Sequence, residues 1–337
     1  MLANNNKMII NKLAKNSVKS NKKQYGILFF TIVLSAFMLF CVFTIGWTYL
    51  DSSRLQNTRL NGAEYDITTM NGFTSKQVKS LQSNKNIQNV GMESYAGFIK
   101  SSEFDNTVEI GLLWCDETFW NNLMSPARTK LDGHYPQNKN ELMVTKDILK
   151  ACGNENLSVG DSIVLTYENN TGVHTDKFVI SGIWDGYGDK SAGFVSKNFY
   201  DETGYDLKND GILCIKLNCN YVFPTTIQSI EKSLDFSDRQ IFAPTGYIEN
   251  SFKLLLGICG LALVICLSAY LLIYNILYLS ISGKIRYYGL LQSLGMTKKQ
   301  LVRFITKQML FIAIAGIFIG NLSGILLCIK LVPYILG

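Results

Sequence analysis

Three stretches of the chain, at about 26–50, 254–280 and 309–336, are almost unbroken apolar runs, and a helix needs about 20 such residues to cross a bilayer. The first is bracketed by Tyr25 on one side and by Trp47 and Tyr49 on the other, as interfacial aromatics bracket a span. It is longer than the apolar core of a cleaved signal peptide and no small-residue cleavage site closes it, so it reads as a retained anchor. Between the first and second runs the pattern changes. Segments 63–70, 107–114, 162–167, 177–184 and 211–217 are apolar or β-branched and bounded by turn residues, and read as strands. Segment 75–82 reads as a short helix after a Thr74 cap, and 225–234 as a helix after Pro224; 141–151 joins a short apolar run to helical character. These about 200 residues are enough for a core of their own.

Charge turns this pattern into a topology. All 26 acidic residues lie between Asp51 and Glu249, whereas Lys7, Lys12, Lys15, Lys19, Lys22 and Lys23 precede the first run without an acid among them. The segment between the second and third runs carries Lys284, Arg286, Lys298, Lys299, Arg303 and Lys307, again without an acid. Basic residues flanking spans are retained in the cytoplasm, and both basic segments fall on one side of a three-span chain. The expected fold class is a membrane protein: an α-helical bundle of three transmembrane spans with a large extracytoplasmic α+β domain between spans 1 and 2. The expected order is a basic cytoplasmic tail (1–25), span 1 (26–50), the extracytoplasmic domain (51–252), span 2 (253–280), a cytoplasmic helix–break–helix (281–307) and span 3 (308–336). The basic net charge of +6 is thereby explained by the membrane, and nucleic-acid recognition, which has no motif here, is excluded.

The 281–307 segment is the sharpest local signal. Ile285, Tyr288, Leu291 and Leu294 recur at near-helical spacing. Gly295 is placed to end that helix in a left-handed conformation. Thr297 then fits an N-cap, with Gln300 completing a capping box and Met296 and Leu301 at the staple positions. Lys298 and Lys299 occupy the first turn of the new helix, where the helix dipole disfavours cations; membrane retention and an acidic cytoplasmic partner account for them equally well. In the third run Gly316, Gly320 and Gly324 recur every fourth residue, a stripe that lets a neighbouring helix approach closely, and Asn321 and Ser323 beside it are candidates for interhelical hydrogen bonds.

Catalytic constellations are missing. The two histidines, His134 and His174, stand forty residues apart in the large domain, and no nucleophile elbow, metalloprotease or phosphate-loop motif occurs. No metal site is expected. Cys115, Cys152, Cys214 and Cys219 lie in that domain, where disulfides are chemically possible, but their spacing names none of the three pairings. The aromatic groups Trp114, Phe119, Trp120 and Trp184, Tyr187 read as core packing before they read as a ligand groove.

The stretch Tyr287-Tyr-Gly289-Leu-Leu-Gln-Ser-Leu-Gly-Met-Thr-Lys-Lys-Gln-Leu301 resembles the segment that follows the second span in FtsX-like permeases, the membrane subunits of MacB-type ABC transporters. Tyr288 stands where that family commonly has an acidic or polar residue. The basic lead-in 13–23 and, in the large domain, Gly133-His-Tyr-Pro136, Asn140-Glu-Leu142, Val159-Gly-Asp-Ser-Ile163 and Phe178-Val-Ile-Ser-Gly182 are similar to the same family. The resemblance implies a non-enzymatic permease in the plasma membrane that dimerises with a second permease chain or half. It also implies a separate cytoplasmic ATPase that supplies ATP and Mg and transmits force to the exterior domain, acting on peptides, lipids or lipoproteins, including in antimicrobial peptide resistance. Tyr288, Gly289, Leu291, Leu294, Gly295, Met296, Thr297, Lys298, Lys299, Gln300 and Arg303 become the candidate ATPase-coupling residues. A regulatory protein that controls an exterior partner such as a cell-wall hydrolase is the alternative. The Lys- and Asn-rich composition points to a Gram-positive bacterium. The family unit has four spans where three are present here, so the chain is expected to be the amino-terminal part of a longer permease or a shortened product.

Overall fold

A computed structural model describes residues 7–100, 110–188 and 192–336. Contacts divide the chain into two compact units, Met1–Asp51 with Leu254–Gly337, and Ser52–Lys253.

The described residues of the first unit are helical apart from short turns at Asn21 and at residues 283–284 and 294–297. Helices α1 (Lys7–Ser20) and α2 (Lys22–Asn61) hold the amino-terminal part; their successors in chain order include α7 (Gly246–Ser282), α8 (Ile285–Ser293) and α9 (Lys298–Leu336). Three of these are long and apolar enough to cross a membrane, over Tyr25–Asn61, Gly246–Ser282 and Lys298–Leu331. The helices overrun the apolar stretches: α2 begins before residue 26 and continues past residue 50, and α9 begins at Lys298 rather than at 308. Hydropathy marks where a helix meets hydrocarbon, whereas the helix itself ends only at a breaker or cap. No breaker lies between Thr297 and the third apolar run, so the second arm of the expected helix–break–helix and the third span are one continuous helix.

The second unit is an α+β domain built on a mixed sheet. Its strands are β1 (Ile67–Met70), β2 (Ile87–Lys100), β3 (Ile110–Cys115), β4 (Arg128–Gly133), β5 (Glu141–Thr145), β6 (Ser162–Asn169), β7 (Gly172–Gly186), β8 (Ala192–Val195), β9 (Ile212–Leu217) and β10 (Ile241–Pro244). They are ordered β10-β1-β9-β2-β3-β8-β5-β7-β4, with β6 bridging β2 and β7. All pairs are antiparallel except β3–β8 and β5–β7. Short helices α3 (Ser75–Gln82), α4 (Lys146–Ala151), α5 (Lys197–Tyr200) and α6 (Pro224–Ser233) complete it. The Thr74 cap forms as a full capping box with Gln77, and Pro224 takes the first helical position, where a missing N–H costs nothing.

Several elements differ from the sequence pattern. The strand expected at 63–70 begins only at Ile67, because Gly62 turns the chain at φ +74° and Ala63 is buried against the aromatic cluster. The first residues of the strand expected at 107–114 lie outside the described residues. Strand β2, the central organiser of the sheet, escapes the alternation rule. Its Gly91 leaves room for Leu123 and Phe119 to pack over the strand, and Gly97, at φ +153°, marks a bulge against β3.

Three apolar clusters fill the domain. One gathers Leu112, Trp114, Leu142, Phe178, Phe199 and Tyr200; a second joins β1 and β9 to Leu81, Ile230 and Ile248; a third holds Phe119, Trp120, Trp184, Phe194 and Cys214. Trp114, Phe119, Trp120 and Trp184 are therefore core, with Trp114 stacked on Tyr200 at 5.3 Å and Trp120 edge-on to Phe194 at 5.4 Å, whereas Tyr187 is exposed beneath Arg59. Cys115 and Cys214 are buried thiols and no disulfide forms.

Candidate functional site

The local chemistry of residues 285–303 produces a sharp elbow. After Ser293 the chain closes with a Schellman motif: Met296 N–H donates to the Leu291 carbonyl at 3.1 Å, and Gly295 N–H to that of Gln292 at 3.0 Å. Gly295 makes this possible at φ +97°. Two residues later Thr297 and Gln300 cap each other's backbone, at 3.0 and 3.3 Å. One helix is thus ended and the next begun within four residues, leaving a rigid bend and not a loose loop.

What lies beneath the elbow was not visible in the sequence. Tyr288 (7% exposed) packs with Phe304, Ile10 and Ala14, and Leu291 and Leu301 border the same cluster. The amino-terminal helix α1 therefore braces the bend from below. Burial pushes the Tyr288 phenol up to about 12. The departure from the family pattern at Tyr288 has a structural cause here: a polar or acidic side chain would be lost among apolar neighbours. The expected amphipathic stripe is only half realised, since Ile285 and Leu294 are exposed at 65% and 76%. Outward also point Gly289, Lys298, Lys299 and Arg303, while Met296 and Gln300 are half-buried. The elbow so presents apolar Leu290 and Leu294 beside three cations.

The glycine stripe of α9 lies against α2. A Cβ on Gly316 would meet Ile32, one on Gly320 the Val33 carbonyl and Ala36, and one on Gly324 the ring of Phe40. Of its polar neighbours, Ser323 does not bridge helices; its hydroxyl donates to the Gly320 carbonyl of its own helix at 2.8 Å, the nearest unsaturated acceptor for a helical serine. Asn321 lines a groove with Phe40, Thr44 and Trp47.

A second group was missed entirely. Tyr25 from the first turn of α2, Lys284 from the α7–α8 junction and Gln308 from within α9 meet at one point, with the Tyr25 hydroxyl donating to Gln308 Oε1 at 2.7 Å. The only hint in the sequence was that each stands at the edge of an apolar run. In the large domain the histidines do not meet: His134 contacts the Tyr135 carbonyl, while His174 bonds Thr171 and lines a cleft of about 420 Å³ with Tyr167, Phe199, Lys139 and Glu202. A buried charge occurs instead at Lys216, which lies 3.3 Å from both Glu64 and Asp66, and the half-buried Glu93 accepts from the Cys214 thiol.

Three apolar helices and an intervening mixed-sheet domain define a membrane protein with a large inserted α+β domain. The family model described as FtsX-like permease C-terminal matches residues 259–334, which take in the end of α7, the elbow and most of α9. Among solved structures, the chain is similar to the periplasmic region of MacB from Actinobacillus actinomycetemcomitans, at 13% identity and TM-score 0.39, covering 58% of this chain and 95% of that one. It is likewise similar to the extracellular domain of the noncanonic ABC-type transporter YknZ from Gram-positive bacteria, at 11% identity and TM-score 0.35, covering 52% and 98%. Comparison with curated proteins gives no match.

Proposed function

We propose that the chain is the membrane subunit of an ABC transporter in the plasma membrane, working with a second permease chain or half and with a separate cytoplasmic ATPase that binds ATP and Mg. The amino terminus and the elbow face the cytoplasm, and the domain at 52–253 lies outside. The observation that carries this reading is the elbow itself. A bend locked by a Schellman motif and a capping box, braced by α1 and offering exposed Leu290, Leu294, Lys298, Lys299 and Arg303 without an acid in 281–307, suits an apolar and acidic groove on a partner. Rigidity matters because a partner's displacement is passed on only by an element that does not yield. Secondary structure supports transmission, since α2 and α7 are each one uninterrupted helix on either side of the domain sequence. Peptides, lipids or lipoproteins are the substrates this reading assigns, expelled or extracted when the domain is reshaped.

Co-purification with a cognate ABC-type ATPase tests the reading. Lys298→Glu, Lys299→Glu and Arg303→Glu together are expected to abolish capture of the ATPase while leaving the permease monodisperse. Undiminished capture by the triple variant would remove the elbow from the interface.

A further inference from the structure

Tyr25, Lys284 and Gln308 share one depth in the sequence pattern: the first opens an apolar run, the second follows the end of α7 at Ser282, and the third immediately precedes the run from 309. Folding brings them together. The Tyr25 hydroxyl is spent on Gln308 Oε1, and Lys284 Nζ stands over the Tyr25 ring at 4.9 Å from its centroid. Gln308 is 1% exposed and Tyr25 4%. Two donors are left over, because Lys284 Nζ and Gln308 Nε2 are both buried and have no hydrogen-bond partner among the described residues. Burial alone depresses the Lys284 pKa, with no acid nearby to oppose it.

A buried ammonium without an anion is strongly unfavourable, and an aromatic face offsets only part of that cost. The unit holds no internal remedy. Its one acidic residue is Asp51, 26 residues from Tyr25 along α2, or ~39 Å at the rise of a helix. Both orphaned groups are donors, so the missing partner is an acceptor and an anion. The position at the mouth of three apolar runs is where a bilayer places its phosphates. Exposed Lys22 and Lys23 at the same level add attraction for anionic lipid.

We propose that these two donors hold the phosphate of an anionic phospholipid, with Lys284 Nζ and Gln308 Nε2 donating to its oxygens beside the Tyr25 ring. Such a lipid ties α2, α7 and α9 together at the base of the elbow. Neither the family match nor the ATPase reading assigns this site, and it stands if that reading fails.

Thermal unfolding of the purified, delipidated full chain in detergent tests it, with phosphatidylglycerol, diacylglycerol and inorganic phosphate as separate additions. Phosphatidylglycerol is expected to raise the midpoint saturably, while diacylglycerol and inorganic phosphate leave it in place. Lys284→Met keeps the stem length and removes the buried charge, and is expected to weaken the phosphatidylglycerol response about ten-fold, the worth of one charge-assisted hydrogen bond. Lys12→Met, an exposed lysine of the basic tail, is expected to respond as wild type. An equal response of the wild-type chain to phosphatidylglycerol and diacylglycerol overturns the proposal without any variant. So does an undiminished response in Lys284→Met, and a shift with inorganic phosphate as large as with lipid overturns the assignment to a phospholipid.

Discussion

Gly320→Ala places a single methyl group where α9 meets α2. The new Cβ would lie 2.6 Å from the Val33 carbonyl oxygen, 2.8 Å from the Ala36 Cβ and 3.1 Å from the Phe37 nitrogen. Two of these atoms are backbone, so relief requires one helix to move away from the other and not a side chain to swing. Overpacking of this kind costs about 1–3 kcal/mol, and backbone contacts put this site at the upper end. Alanine returns about 1 kcal/mol through its better helix propensity, leaving a net loss of about 2 kcal/mol, roughly 30-fold in the folding equilibrium. Gly260→Ala is the matched control, since nothing lies within 4 Å of its Cβ position; it is expected to be neutral or slightly stabilising. Denaturant titration of the full chain in micelles, followed by circular dichroism, measures both. Gly324→Ala should fall between them, because the obstructing Phe40 ring can rotate. Equal midpoints for Gly320→Ala and Gly260→Ala would refute the claim that the stripe sets the α2–α9 distance.

The large domain makes two further predictions. Burial lifts the Glu93 carboxyl to about 7, opposed only by the Cys214 thiol. A folded pKa above the unfolded one means its contribution is complete below about pH 4.5 and is lost as the pH rises through about 7, by up to about 3 kcal/mol. Glu93→Gln should flatten the pH dependence of the thermal midpoint between pH 5 and 7.5, and a slope matching wild type would count against this. At Lys216, whose side chain is 8% exposed between Glu64 and the 2% exposed Asp66, replacement by Met strands a buried carboxylate at a cost of about 3–5 kcal/mol. Adding Asp66→Asn should recover part of it, and a single-variant loss under about 1 kcal/mol would show that the pair is not buried in solution.

Local chemistry was legible in the sequence because it depends on neighbours within a turn. The Thr74 and Thr297 caps, the reversal at Gly295 and the Pro224 helix start all form where residue type and spacing place them. The elements that escaped were those whose logic is nonlocal. Strand β2 is broken by Gly91 and Gly97 in sequence, yet both glycines serve partners far along the chain: Leu123 and Phe119 over the first, and the β6 strand near Glu168 beside the second. Likewise Ser323 looked like an interhelical donor until the backbone of its own helix supplied the acceptor.

By itself the sequence determined which stretches are apolar enough to span a bilayer, which segments carry cations, and where local caps and reversals fall. These follow from side-chain transfer energies and from hydrogen bonds spanning four residues or fewer. Tertiary structure alone decided which surfaces are spent and which remain. It turned Tyr288 inward and Leu294 outward on one short helix, laid the glycine stripe on α2, and left Lys284 and Gln308 as donors without an acceptor. Burial and the pairing of polar groups are properties of contacts between distant residues, and no periodicity along the chain encodes them.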